Sequence, residues 1–151
     1  MPIKSAGGGV VTKEFHAYLG TSQTIATGTN TKIQFDTEVF DPDNVYDNVT
    51  NYRYVPAEIG KYYIYARALL LSLGNGKEMT ISLQLNGAAV LYLLHMSAGV
   101  TGAHGGGGGG IIDITSTTDY IEVYVQHNHG GNLTALGQSI HNYFGGYKLP
   151  T

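Results

Sequence analysis

The sequence predicts an all-β fold, an antiparallel sandwich or barrel of short strands. Three observations carry this. Apolar residues recur with a period of two in several stretches and nowhere sustain a capped helical period. Turn signals rich in Gly, Asn, Asp and Pro punctuate those stretches. The composition is β-rich, with 22 glycines, 12 tyrosines and no tryptophan among 151 residues.

Strands are expected near 15–19, 31–40, 51–55, 60–73, 78–86, 88–97, 111–116, 119–128 and 138–149. In the second, Ile33 and Phe35 alternate with Lys32, Gln34 and Asp36. Thr27-Gly28-Thr29-Asn30 turns into it, and Asp41-Pro42-Asp43-Asn44 turns out of it. Met79, Ile81, Leu83 and Leu85 alternate with polar residues between a Gly74-Asn75-Gly76 turn and Asn86-Gly87, the strongest short hairpin signal. Ile121, Val123 and Val125 alternate likewise, between Thr117-Thr118-Asp119 and Gly130-Gly131-Asn132. Each pattern puts one face in a core and the other in water.

The segment 60–73, GKYYIYARALLLSL, breaks that rule. One face carries Tyr62, Ile64, Ala66, Ala68 and Leu70; the other carries Tyr63, Tyr65, Arg67, Leu69, Leu71 and Leu73. Both are largely apolar, so both should be buried. A two-layer sandwich covers one face of each strand, and the economical second cover is another copy of the chain. A helix or loop over the sheet is the other candidate, but no helix is visible to serve. Segment 88–97, AAVLYLLHMS, is two-sided in the same way.

The length fits one domain, which at this size buries roughly 70% of its unfolded surface. Residues 1–13 read as a flexible arm, rich in glycine, ahead of a domain over 14–151. Ile3, Lys4, Val10 and Val11 are the arm's candidate docking residues. Cysteine is absent, so disulfides and thiolate metal sites are excluded. With net charge −3, 13% charged residues and only Arg53 and Arg67 as arginines, the chain lacks the basic cluster that nucleic acid requires. No apolar run reaches the roughly 18 residues of a membrane span, and Met1–Pro2–Ile3–Lys4 does not open a signal peptide. The expectation is a soluble protein kept in its cell of synthesis until assembly or lysis.

Constellations for chemistry are weak. No nucleophile elbow occurs, and no constellation speaks for an enzyme. His127 and His129, two apart at a strand end, share a face if the strand continues and with an acid could hold a divalent metal; a chance pair among six histidines is the plainer account. Asp41, Asp43, Asn44 and Asp47 resemble a calcium-loop cluster but lack its glycine and glutamate, so turn formation explains them better. The expected cofactor set is therefore empty. His16, His95 and His141 are alternatives that a threefold axis would present three times. The tyrosine excess suits core and interface packing, or a sugar-stacking surface.

Six short motifs in fixed order resemble the C1q/TNF-like head domain of bacterial and bacteriophage proteins. They are Phe15-His16-Ala17-Tyr18, IQFDTEVFDPDNVYD at 33–47, YRYVPAEIGKYYIYARALL at 52–70, LQLNG at 83–87, DYIEVYVQ at 119–126 and NYFGGYKL at 142–149. Thr118 stands where the family usually has Gly, Gly146 is an added glycine, and the glycine-run loop is longer than usual. The resemblance implies a ten-stranded jelly roll that packs as a homotrimer. It places strand 60–73 in the inner sheet near the threefold axis and 88–97 in the outer sheet. Tyr63, Tyr65, Arg67, Leu69, Leu71, Tyr143 and Tyr147 are then the expected trimer interface.

Two functions fit. One is a virion structural protein of a bacteriophage: a trimer that decorates or cements the capsid, docks on the major capsid protein or another virion component, and is made in the bacterial cytoplasm. The other is a receptor- or carbohydrate-binding fibre head whose partner is a host-surface glycan. The run Gly105–Gly110 has no Lys and leads into Ile111-Ile112-Asp113-Ile114, a strand, so it is not a phosphate loop. It is expected as a 98–110 connection within one jelly roll. His104, Gly105 and Gly110 are its candidate contacts.

Overall fold

The computed structural model describes residues 12–150. The docking residues Ile3, Lys4, Val10 and Val11 lie outside them.

Thirteen strands and no helix form two sheets among the described residues. In chain order they are β1 (Phe15–Tyr18), β2 (Gln23–Ile25), β3 (Thr31–Lys32), β4 (Thr37–Phe40), β5 (Tyr46–Asp47), β6 (Arg53–Tyr54), β7 (Gly60–Leu73), β8 (Glu78–Leu85), β9 (Ala88–Ser97), β10 (Gly102–Ile114), β11 (Ile121–His127), β12 (Leu133–Ala135) and β13 (Tyr143–Lys148). The first sheet has the long β7 at its middle, with β10 along one side and β13 and β12 along the other. β13 leads on to β1 and β4, and β12 to β2. The second sheet runs β5-β6-β11-β8-β9, with β3 also on β11. Every pairing is antiparallel.

The core lies between the sheets, built by the alternation that the sequence displays. Tyr62, Ile64, Ala66, Ala68 and Leu70 face Met79, Ile81, Leu83, Ile121, Val123 and Val125 across it, all buried. At one end Phe15 stacks on Tyr54 at 4.4 Å and on Tyr46 at 5.0 Å, with Phe144 edge-on at 4.8 Å. Each such pair adds about 0.5–1.5 kcal/mol beyond its buried area. The β8–β9 hairpin turns on Asn86 (φ +52°) and Gly87 (φ +83°), the doubly positive pair that a tight hairpin turn needs.

Several expected elements differ. The stretch 31–40 is two strands in different sheets. β3 pairs with β11, Ile33 N–H donates to the Val123 carbonyl at 2.9 Å, and the chain then crosses to pair β4 with β1. Ile33 and Phe35 are the buried anchors of that crossing, which is why the pattern read as one strand. β2, β5 and β12 are too short to show a period. Segment 88–97 is an edge strand with two irregularities in its pairing, and both faces are not buried: Val90 and Tyr92 are exposed.

The largest correction concerns the glycine run. Residues 98–110 are not a loop; the connection is 98–101, and β10 pairs residue for residue with β7 from His104 to Ile114. Glycine has a weak strand preference and a high ordering cost. Here the register is pinned at one end by buried Ile112 and Ile114, since a one-residue slip would expel both.

Candidate interaction surface

The outward face of the first sheet follows from the register. Opposed residues on neighbouring strands point the same way, so the face is a grid of rows. One row reads Ile111, Tyr63, Tyr147. The next reads Gly109, Tyr65, Gly145, His16, Phe40. A third reads Gly107, Arg67, Tyr143, Tyr18, Thr37, and Gly105 with Leu69 begins a fourth. Leu71 follows, opposite Thr134. All seven residues expected at an interface therefore lie on one face. Tyr63, Tyr65, Arg67, Leu69, Leu71 and Tyr143 are half-buried, and Tyr147 is 42% exposed.

The aromatic rings form a continuous layer. Centroids stand 6.3 Å apart for Tyr63 and Tyr65, 5.7 Å for Tyr63 and Tyr147, and 6.3 Å for Tyr65 and Tyr143. His16 sits among Phe40, Tyr65 and Tyr143 at 6.0, 5.8 and 5.7 Å. Its Nδ1 shares a 2.8 Å hydrogen bond with the Tyr65 hydroxyl. Burial holds His16 below the usual imidazole range and raises the Tyr65 phenol. The Tyr65 ring lies flat across Gly145, where a Cβ would fall on the phenol end. The sequence reading named His16 only as a ligand alternative at a threefold axis, not as part of this face, and it missed Phe40. The signal was there for His16, which alternates with buried Phe15 and Ala17.

The glycine strand gives this face a bare margin. A Cβ on Gly105 or Gly107 would meet the carbonyl oxygens of Ala68 or Ala66, and one on Gly109 would sit 2.6 Å from the Tyr63 hydroxyl. On the inner side, Gly106 and Gly110 leave room for Leu94 and Leu91 of β9. Of the expected loop contacts, Gly105 and Gly110 are thus strand residues, and His104 Nε2 hydrogen-bonds the Val100 carbonyl at 2.7 Å.

Arg67 is the anomaly. Its side chain makes no ion pair or hydrogen bond among the described residues, and its Nε is buried without a partner. It borders a cleft of about 250 Å³ lined by Tyr63, Tyr65, Gly107, Gly108 and Tyr143.

The other ionisable candidates are committed locally. His127 Nε2 bonds the Ile25 carbonyl at 3.0 Å, and its Nδ1 accepts the His129 N–H at 3.3 Å, so both ring nitrogens are used. His129 Nδ1 accepts the Gly74 N–H. The Asp41 carboxylate accepts the Val45 and Tyr46 N–H groups at 2.9 and 2.8 Å, which closes the 41–46 turn; Asp43 is exposed beside it. Among the described residues no group of three or more His, Asp or Glu is placed to hold a metal ion.

No protein-family model matches the sequence, and no curated protein matches it. Solved structures do resemble the fold. Murine APRIL at pH 5.0 superimposes with a TM-score of 0.67 at 13% identity, covering 91% of this chain and 99% of that one. The Eiger TNF structure from S. frugiperda gives 0.59 at 13%, covering 92% and 93%. The globular domain of zebrafish complement 1qA protein gives 0.61 at 15%, covering 92% and 98%. The fold is a C1q/TNF-like jelly roll.

Proposed function

We propose that the chain is a non-enzymatic structural module that works as a homotrimer through the aromatic face of its first sheet. The face carries the reading. Aromatic and aliphatic side chains of β7 and β13 line it, half-buried, on the side away from the core. Apolar surface of this kind, edged by polar residues, marks an association site, and tyrosine anchors such sites well. A closed trimer needs two different surfaces on each copy, because a threefold contact is heterologous. The margin of Gly105, Gly107 and Gly109 suits the second role, since bare backbone admits close approach. The resemblance of the sequence to C1q/TNF-like heads implies the same stoichiometry. The carboxylates of Asp36, Asp41, Asp47 and Asp119 are each spent on capping backbone N–H groups, which supports the non-enzymatic reading.

The finer role we infer is decoration of a bacteriophage capsid, with the trimer docked on the major capsid protein or another virion component. The sequence resemblance to phage-type heads supports it. Purified capsids that lack tails should carry the chain in multiples of three. Soluble trimer that binds host cells, with tail-less heads free of it, would instead indicate a receptor- or glycan-binding head.

A further inference from the structure

A guanidinium on a face that becomes buried must find an acceptor. Leaving a charged group dry and unpaired is strongly destabilising, and water cannot serve once the face is covered. Within one copy Arg67 has no acceptor, and its Nε is already closed off from water. The surface that covers it must therefore bring a carboxylate or an equivalent anion.

All 11 Asp and Glu side chains fall in the described residues. Lys32 pairs with Glu122, Lys61 with Asp113 and Lys148 with Glu58. Asp36, Asp41, Asp47 and Asp119 cap turns. Glu14, Glu38, Asp43 and Glu78 remain without a partner among the described residues. Asp43 belongs to the 41–44 turn, and Glu78 opens a strand of the other sheet. Glu38 stands opposite core-facing Ala17. Glu14 is different. β1 alternates from buried Phe15 to half-buried His16, so Glu14, one residue earlier and exposed, shares the His16 face. The register that opposes Phe15 to Gly146 sets it beside Tyr147.

Arg67 and Glu14 thus occupy one face of one sheet but cannot meet within a copy. They are four residues apart along the strands and two strands apart across the sheet, about 16 Å at about 3.3 Å per residue and 4.8 Å between strands. A rotation axis beside the face would present the Glu14 corner of one copy to the Arg67 cleft of another.

We propose that Arg67 of each copy pairs with Glu14 of the next, so that assembly is closed by a ring of intersubunit ion pairs. This rests on the self-association proposed above. The planar guanidinium, walled by tyrosine rings and glycine backbone, suits a carboxylate, which it can grip with two parallel hydrogen bonds.

The chain has no cysteine, so a Glu14→Cys/Arg67→Cys variant carries only the two probes. At about 16 Å they cannot bridge within a copy, because a disulfide requires Cα atoms closer than about 7 Å. Mild oxidation should link two and three chains on a non-reducing gel, while either single cysteine yields no covalent trimer. Charge reversal is the second arm. Arg67→Glu should raise the trimer dissociation constant at least about 30-fold, the lower end for losing one member of a desolvated pair. Arg67→Glu with Glu14→Arg should bring it back, and Arg67→Glu with Glu78→Arg should not. A wild-type trimer whose double-cysteine variant stays uncross-linked, or whose charge swap restores nothing, overturns the pair and leaves the trimer standing. A wild-type monomer overturns both.

Discussion

Replacing Gly107 by alanine should destabilise the protein, while the same change at Gly108 should not. A Cβ on Gly107 would fall on the Ala66 carbonyl oxygen, and would stand 2.8 Å from Arg67 Cα and 2.9 Å from Arg67 Cβ. These atoms belong to the central strand of the sheet and cannot yield as a flexible side-chain tip would. The edge strand must move out instead. One or two ladder bonds weaken, at about 1 kcal/mol each, and crowding adds about 1–3 kcal/mol. The loss is about 2–5 kcal/mol. At Gly108 the nearest atom to an added Cβ is the Leu93 carbonyl oxygen at 3.9 Å, an ordinary contact. Alanine there restricts the unfolded chain and should stabilise by about 0.4–1 kcal/mol. Urea unfolding at fixed chain concentration, which matters for an associating protein, measures both. In thermal melts the Gly107→Ala midpoint should drop by roughly 4–20 °C. Equal effects at the two positions, or no loss at Gly107, would refute the close-approach account of the run.

Other perturbations test the face and the turns. Leu69→Asp or Leu71→Asp puts an unpaired carboxylate on the covered face, so each should yield a folded monomer by light scattering, with association weakened more than about 100-fold; an unaffected trimer would show that another face is used. His16 is held below its usual value of 6.5 by burial, so its neutral form is favoured in the folded protein. That contribution is present above about pH 6.5 and is lost as pH falls through the lower folded value, so folding stability should fall from pH 7 to pH 5 and His16→Gln should flatten that profile in urea unfolding. Backbone hydrogen bonds led by that of Thr50, with those of Val49 and Asn51, hold the Asp47 carboxyl down to about 2. Its contribution is present above the ordinary 3.8 and lost as pH falls toward 2, so Asp47→Asn should be less sensitive than wild type to acid in that window.

Strand β7, with its apolar outward face, was legible because its pattern is redundant. Fourteen residues of β7 put apolar side chains on both faces, and no single error of register could hide that. Tyr143 and Tyr147 were legible from a resemblance and from the spacing that sets them on one side of β13. Phe40 was not, because a crossing between sheets broke the alternation before it. The glycine run misled for a physical reason. Glycine carries no side chain to show a period, so a strand of six glycines looks like a loop. Only the packing reveals that β7 lies too near for any Cβ at Gly105 or Gly107. His127 and Asp41 are a different case. Their residue types suggest ligands, but backbone groups that no sequence pattern displays claim their polar atoms. Arg67 was expected on the face, yet its lack of a partner emerges only when every carboxylate has been placed.

The central claim is that a second copy covers the outward face of the first sheet. The mass of the wild-type protein in solution, measured by light scattering at micromolar concentration and neutral pH, tests this most directly. The predicted result is three times the chain mass of 16.1 kDa. A single chain mass under those conditions would contradict it.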